Sequence, residues 1–149
     1  MTRLLVIAHS PLASALRSVA AHIFPDQAAA MLVCDVTAEQ SAEDIERALL
    51  AEMAAASETE WLILTDVFGA TPCNVARRIG ERPGTRLLAG VNVPMLWRAL
   101  GHLHEPLEKV TALAAAGASQ GVMQLASARP QNQAQKPASH EPDEHHHQQ

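Results

Sequence analysis

Two side chains that can carry out nucleophilic chemistry follow strand-like segments of the sequence. His9 comes directly after an apolar run at residues 4–8, and Asp66 directly after a second run at residues 61–65. The carboxyl ends of parallel strands lie at one edge of an α/β sheet, where such sheets bind ligands. A carboxylate that accepts one ring proton of an imidazole leaves the other ring nitrogen free to attack. The pair therefore predicts chemistry on an anionic group.

The residues after Asp66 are suited to holding that group. Gly69 and Ala70 leave backbone N–H groups accessible, and Thr71 places a hydroxyl at the start of the next helix. The free N–H groups and the dipole of a helix N-terminus both favour negative charge. Neither a Walker lysine motif nor Gly-x-Gly-x-x-Gly occurs, so nucleotide binding has no support. On spacing alone, a structural histidine beside an ordinary turn stays the alternative.

Strand-like and helix-like segments alternate along the chain and predict a doubly wound α/β domain. Its strands are continuously apolar, which indicates burial on both faces and a mainly parallel four-stranded sheet with helices on each side. The strands are expected at residues 4–8, 31–34, 61–65 and 86–91, with a short fifth strand at 121–125. Helices are expected at residues 11–24, after Ser41, and at 71–79, 95–100 and 106–116.

Local signals mark three of the helix starts. Ser10 is expected to cap the first helix with Pro11 as its first residue, and Thr71 and Pro72 repeat that pattern later in the chain. Ser41 opens a segment that resembles a capping box. One of these starts directly follows His9 and another comes a short turn after Asp66, so the predicted helices would direct their N-termini toward the candidate site.

The composition is that of an ordinary globular protein. The chain has 149 residues, a net charge of -5 and 48% hydrophobic residues, enough for one domain at residues 1–126. Residues 127–149 lack large apolar side chains and are expected to be a disordered tail. The mild acidity gives no reason to expect nucleic acid, and no apolar run is long enough for a membrane span or a signal peptide. We therefore expect a cytoplasmic protein.

The remaining metal-binding and thiol side chains have plainer interpretations. Cys34 lies in an apolar strand-like run and is expected in the core, and Cys73 is expected to pack in the first turn of a helix. A disulfide between them is not expected. Histidines of the tail, His140 and residues 145–147, form a tract of the kind that can bind metal, but such a flexible tract more often binds nothing specific.

Three segments together resemble one known family. They are residues 6–13 (VIAHSPLA), 64–74 (LTDVFGATPCN) and 90–95 (GVNVPM), and their order, spacing and strand context are specific. In these segments the chain is similar to the IIA component of the mannose (mannose-fructose-sorbose) family of the bacterial phosphoenolpyruvate-dependent sugar phosphotransferase system. The resemblance spans about residues 1–126.

The resemblance implies a role for each candidate residue. His9 would accept a phosphoryl group from the phosphocarrier protein HPr and pass it to a histidine of a IIB domain. Asp66 would hydrogen-bond His9 and leave Nε2 as the phosphorylated nitrogen. The phosphoryl-binding residues would be Ser10, Gly69, Ala70 and Thr71, of which Ser10 is the least secure because many relatives have glycine there. The crevice would be lined by Phe68, Asn74, Asn92, Pro94 and Met95.

The resemblance also implies the assembly and the partners. Members are homodimers that exchange or share a C-terminal strand, which here would be residues 122–125. HPr and a IIB component would be the protein partners, and no metal or other cofactor is expected because partner proteins and backbone N–H groups supply what the transfer needs.

Two other functions are weighed against the carrier. In many relatives an Ala/Pro-rich linker joins IIA to IIB, and here the linker-like tail carries no such domain. We therefore expect either a partner of a separate IIB or a stand-alone regulatory IIA whose phosphorylation changes which protein docks. A receiver domain phosphorylated on aspartate is disfavoured, because the acidic cluster that holds magnesium after the first strand is replaced by residues 8–10 (AHS).

Overall fold

The computed structural model describes residues 1–56 and 59–127, in which strands and helices alternate. The strands of this part of the chain are β1 (Thr2–His9), β2 (Leu32–Val36), β3 (Glu60–Thr65) and β4 (Thr85–Ala89). Its helices are α1 (Leu12–Ala20), α2 (Pro25–Ala29), α3 (Ala42–Ala54), α4 (Thr71–Gly80), α5 (Val93–Leu100) and α6 (Leu107–Gln120). Of the helices described, none has the length and apolar character needed to cross a bilayer.

The strands form one parallel sheet in the order β2-β1-β3-β4. Ile7 of β1 is level with Cys34 of β2 on one side and with Thr65 of β3 on the other. The predicted four-stranded parallel sheet is confirmed. The strand order reverses between β1 and β3, and a crevice opens outside the carboxyl ends of strands at such a switch point. His9 ends β1 and Asp66 follows β3, so both lie at this crevice.

Helices cover both faces of the sheet, as expected for a doubly wound fold. On β1, Leu4 and Val6 pack in a core cluster with α1, α2, α5 and α6, whereas Leu5 and Ile7 pack in a second cluster with α3 and α4. All four side chains are at most 1% exposed. Alternate residues of a strand point to opposite faces, which explains why the strand is apolar throughout.

The start of α1 differs from its prediction. The helix begins at Leu12, with Pro11 at the N-cap position and no side-chain cap hydrogen bond, so Ser10 does not cap it. A first-turn N–H of α1 finds its hydrogen-bond acceptor in another element, because the carboxylate of Asp35 in β2 accepts the backbone N–H of Ser14 at 3.1 Å. A cap supplied by a distant strand leaves no local signal in the sequence.

The end of α1 also differs from its prediction. The helix expected over residues 11–24 ends at Ala20, and a tight turn follows in which the Phe24 N–H donates to the Ala20 carbonyl at 2.8 Å. Pro25 then begins α2 rather than only ending the previous helix. Proline fits the first helical position because its missing N–H would have no intrahelical partner there.

The C-terminal part of the domain forms a longer helix than expected. Helix α6 continues to Gln120, and residues 122–127 have no regular structure in the single chain. The strand predicted at residues 121–125 is therefore absent from the isolated chain, since a strand needs a paired edge. Three apolar side chains of this segment are instead largely exposed: Val122, Met123 and Leu125. The predicted tail lies outside the described residues from residue 128 onward.

Both cysteines are free thiols. Cys73 is buried in the first turn of α4, as expected for a packing residue. Cys34 is only partly buried on the edge strand β2, where burial, helped by the negative charges of Asp35 and Glu52, raises the pKa of its thiol.

Candidate functional site

His9 and Asp66 contact each other directly at the switch point of the sheet. The His9 ring Nδ1 lies 2.6 Å from Asp66 Oδ2, and the same carboxylate oxygen accepts the His9 backbone N–H at 2.9 Å. The predicted meeting of the two side chains is thus present in the structure. A carboxylate at Nδ1 favours the tautomer with the proton on that nitrogen, which leaves the Nε2 lone pair free.

The other oxygen of the Asp66 carboxylate is also occupied. Oδ1 accepts the backbone N–H of Val67 at 2.8 Å, and the side chain is only 14% exposed. Burial by itself would raise the pKa of this carboxyl. The hydrogen bonds from the His9 backbone, the His9 ring and the Val67 N–H, with the positive charge of a protonated His9, outweigh burial and hold the pKa of Asp66 below its ordinary value.

The turn after Asp66 is shaped by two glycines. Gly69 has a φ of +88°, a backbone conformation that side-chain-bearing residues rarely adopt, and a Cβ there would meet no atom within 4 Å. Gly90 also has a positive φ, and its N–H donates to the Asp66 carbonyl at 2.7 Å. The turn therefore presents open backbone at Gly69 while its base is tied to the end of β4.

Helix α4 differs from α1, α3 and α5 in that no side-chain oxygen is seen to accept an N–H of its first turn. Its N-cap residue is Ala70, which makes no side-chain cap hydrogen bond, and its first turn contains no acidic residue. In three other helices a side-chain oxygen accepts a first-turn N–H: Asp35 for Ser14 in α1, Ser41 for Asp44 in α3 and Asn92 for Met95 in α5. The N-terminus of α4, next to Asp66, is thus left available to an external anion.

The site lies on an open surface. The His9 side chain is 53% exposed, and Ser10 and Thr71 are also exposed. Phe68, an aromatic residue of the turn, is 75% exposed. A cavity of about 400 Å³ lies elsewhere, between α5 and α6, and is lined by Phe24, Trp97 and other residues that do not include His9. The His9 imidazole is therefore accessible to a second protein.

The structure gives the surroundings of four residues that the resemblance assigns to the crevice. Met95 is 3% exposed and packs in the core, and Asn92 is engaged as the cap of α5 and as a donor to the Ala118 carbonyl at 3.2 Å. Pro94 lines the cavity between α5 and α6. Asn74 lies on the outer face of α4, in a surface depression with Arg77, Arg78 and Glu81.

Two residues that the sequence did not single out hold the chain beside His9. The backbone N–H of Ser10 donates to the Val36 carbonyl at 3.0 Å, and Asp35 binds Ser14 as described above. Both Asp35 and Val36 end strand β2, at the same edge of the sheet as His9. Their position at a strand end was the one signal available, because neither lies in a recognisable motif. The Ser10–Pro11 peptide bond between these contacts is cis.

The arrangement places an accessible imidazole at the same edge of the sheet as an uncapped helix N-terminus, and the chain can now be compared with known families. The family model described as "PTS system fructose IIA component" matches residues 3–112. The chain therefore belongs to this family of IIA components of the phosphotransferase system (PTS), which confirms the resemblance found in its sequence. No curated protein matches the chain.

Solved structures share the fold. The mannose/sorbose specific IIA subunit of the phosphotransferase system from Enterococcus faecalis has a TM-score of 0.76 at 24% identity, covering 87% of this chain and 98% of that one. The phosphotransferase system component EIIA from Streptococcus agalactiae has a TM-score of 0.73 at 24% identity, with coverages of 83% and 97%. A sigma-54 interaction domain protein from Enterococcus faecalis has a TM-score of 0.68 at 13% identity, with coverages of 80% and 92%. At these identities the likeness establishes the fold.

The lowered pKa of Asp66 predicts a pH-dependent contribution to stability. Because the folded pKa lies below the ordinary value of 3.8, the carboxylate stabilises the fold fully above that value, and the contribution is lost as the pH falls through the folded pKa. We expect wild type to exceed Asp66→Asn in free energy of unfolding from neutral pH down to about pH 5, and the difference to shrink below about pH 4. Urea unfolding at a series of pH values measures it.

The control for this series is Glu39→Gln, which removes an exposed carboxylate from the loop before α3. The free energy of unfolding of Glu39→Gln should stay close to that of wild type at every pH. If the difference between wild type and Asp66→Asn persisted unchanged at the acid end of the series, the lowered pKa of Asp66 would be wrong.

Proposed function

We propose that this chain is a phosphoryl carrier that accepts a phosphoryl group from phospho-HPr on His9 and passes it to a histidine of a IIB component. The observation that carries the proposal is the His9–Asp66 pair, which lies beside the uncapped N-terminus of α4 at the switch point of the sheet. Membership of the PTS IIA family supports the general role, and the site supports the chemistry. We infer that both transfers take place in the cytoplasm, where this class of donor acts.

The proposed transfer uses the two ring nitrogens of His9 differently. The Nε2 lone pair attacks phosphorus, and the new N–P bond forms as the bond between phosphorus and the donor histidine breaks. Attack leaves a substituent on both ring nitrogens and a positive charge on the ring, which the Asp66 carboxylate at 2.6 Å stabilises. The second transfer reverses these steps toward the IIB histidine, so only the phosphoryl group moves between proteins.

The oxygens of the phosphoryl group would lie against the start of α4. The Thr71 hydroxyl and the backbone N–H groups at Gly69 and Ala70 are the donors, with Ser10 as a further hydroxyl next to His9. Support comes from the open backbone at Gly69 and from the missing side-chain cap of α4. Three oxygens that carry negative charge fit the positive end of a helix dipole.

The partner proteins would contact the apolar turn beside His9. Phe68 is 75% exposed and Val67 is 53% exposed, although both are large apolar side chains. Val67 and His9 are hydrogen-bonded to the same Asp66 carboxylate, so the turn lies close to the His9 ring. A partner whose histidine reaches Nε2 of His9 would therefore cover this turn. Aromatic residues at the centre of an interface commonly contribute most of its binding energy.

We also propose that the chain forms a homodimer through residues 122–125. Val122, Met123 and Leu125 are 77%, 70% and 82% exposed, an unfavourable arrangement for three apolar side chains in one short segment. Within the described residues, the edge strands β2 and β4 each have one unpaired side. Addition of this segment from a second copy to a sheet edge would bury the apolar side chains and pair the backbone.

A stand-alone regulatory IIA is the second candidate function. It is favoured by the fold shared with the sigma-54 interaction domain protein from Enterococcus faecalis. Affinity capture with phosphorylated and unphosphorylated chain separates the two roles. Capture of HPr and IIB proteins alone would leave only the carrier, whereas a partner outside the PTS that binds one form only would favour regulation.

The central prediction concerns His9. Incubation with phosphoenolpyruvate, enzyme I and HPr should add one acid-labile phosphoryl group, measured by intact mass, and His9→Ala should add none while keeping its fold. Asp66→Asn should slow the transfer by about 10² to 10⁴-fold, because an amide donor at Nδ1 favours the wrong tautomer. Full-rate labelling of His9→Ala would contradict the proposed nucleophile, and unchanged kinetics in Asp66→Asn would remove Asp66 from the mechanism.

A second prediction concerns the apolar turn. Phe68→Ala should raise the KM for phospho-HPr about tenfold with little change in kcat, because it removes contact area and leaves the reacting groups in place. The control is Ile23→Ala, which truncates a 56% exposed apolar side chain beyond the far end of α1. Equal KM values for the two variants would show that Phe68 makes no special contact with the donor.

A third prediction concerns assembly. The full chain should sediment as a dimer, and Leu125→Asp should raise the dimer dissociation constant at least about tenfold, since a charge would replace a buried apolar contact. Gln124→Asp adds the same charge at a neighbouring exposed position and is the matched control. A monomeric wild type, or equal weakening by both variants, would argue against pairing through this segment.

A further inference from the structure

Strand β2 ends beside His9, and its last residues make hydrogen bonds to the segment that follows His9. Val36 is level with His9 in the parallel register, and the Val36 carbonyl accepts the Ser10 N–H at 3.0 Å. One residue earlier, Asp35 is level with Ala8. The end of β2 therefore fixes the residue directly after His9 through backbone pairing alone.

The Asp35 side chain fixes the next part of the same segment. Its Oδ1 accepts the Ser14 backbone N–H at 3.1 Å, and its Oδ2 accepts the Ser14 hydroxyl. Ser14 is the third residue of α1, where a capping side chain normally bonds the helix, and Pro11 at the N-cap position has no side-chain oxygen to do so. Asp35 thus replaces the missing cap and anchors α1 to β2.

This anchoring matters because little else holds the His9 ring. The ring is 53% exposed, and Asp66 is its one hydrogen-bond partner in the described residues. Asp66 Oδ2 accepts both the His9 backbone N–H and the ring, so the path of the backbone at residues 9 and 10 decides where Nε2 points. A displacement of about 1 Å between reacting groups can slow a reaction by about 10²-fold.

We propose that Asp35 is a positioning residue for phosphoryl transfer, which holds the start of α1 so that His9 keeps its contact with Asp66. The inference rests on the proposed carrier function. It concerns hydrogen bonding rather than charge, because both Asp35 oxygens are used by Ser14. An asparagine can make the same two contacts, with its amide oxygen accepting the N–H and its amide nitrogen donating to the hydroxyl.

The experiment compares two substitutions at Asp35 with one remote control. Asp35→Ala should lower kcat for transfer from phospho-HPr about ten- to a hundredfold with little change in KM, and Asp35→Asn should stay within about threefold of wild type. Ser41→Ala is the matched control, because it removes the N-terminal cap of α3, a hydrogen bond of 3.1 Å to Asp44 N–H, without touching the His9 turn. Ser41→Ala should lower the Tm with kcat unchanged.

A second measurement is independent of phosphorylation. Nitrogen-15 NMR of the unphosphorylated imidazole reports which His9 nitrogen carries the proton, and Asp35→Ala should reduce the fraction with the proton on Nδ1, whereas Asp35→Asn and Ser41→Ala should not. If Asp35→Ala does not fold, Ser14→Ala, which removes only the hydroxyl contact, should shift kcat and the NMR signal in the same direction by less.

The outcomes separate this inference from the function on which it rests. Failure of wild type to be labelled would refute the proposed carrier, and the NMR comparison would still decide whether Asp35 positions His9. Labelled wild type with unchanged kcat and NMR signal in Asp35→Ala would overturn the role of Asp35. Equal losses of kcat in Asp35→Ala and Asp35→Asn would also overturn it, because charge and not hydrogen bonding would then be responsible.

Discussion

The Asp66 carboxylate is the interaction on which the site depends. It accepts the backbone N–H and the ring of His9 through one oxygen and the Val67 N–H through the other, so it joins the end of β1 to the turn after β3. A partly buried carboxylate is stable only when such donors replace water. The same hydrogen bonds that satisfy the charge also favour one ring tautomer, so folding of this edge and activation of the proposed nucleophile would have one physical cause.

The helix N-termini show a second constraint. In α1, α3 and α5 a side-chain oxygen accepts a first-turn N–H, whereas α4 has neither a side-chain cap nor an acidic first turn. An uncapped N-terminus costs about 1 kcal/mol relative to a capped one. Helices α2 and α6 also lack a side-chain cap, but each has an acidic residue in its first turn, so α4 is the one helix in the described residues that has neither. An anion bound there would recover the lost interaction.

The sequence predicted those features that follow from periodicity and strand ends. Continuous apolar runs identified a parallel sheet, and the shared carboxyl edge of its strands placed His9 near Asp66. The features that the sequence did not predict depend on contacts between elements distant in the chain. Asp35 caps a helix from another strand, and Met95 points into the core because of how α5 packs, neither of which a local motif records. The pairing predicted for residues 122–125 needs a second chain.

The open position of His9 has a consequence for how specificity arises. The His9 side chain is half exposed, so in the proposed transfer the donor would be selected by the surface around the imidazole. That surface combines the rigid site at Asp66 with the exposed apolar turn at Phe68. In the proposed transfer, a partner that covers the turn would exclude water from Nε2 of His9, and in that drier surrounding the Asp66 charge and the α4 dipole would act more strongly on the phosphoryl group. In the proposed transfer, binding of the partner and completion of the catalytic environment would then be a single event.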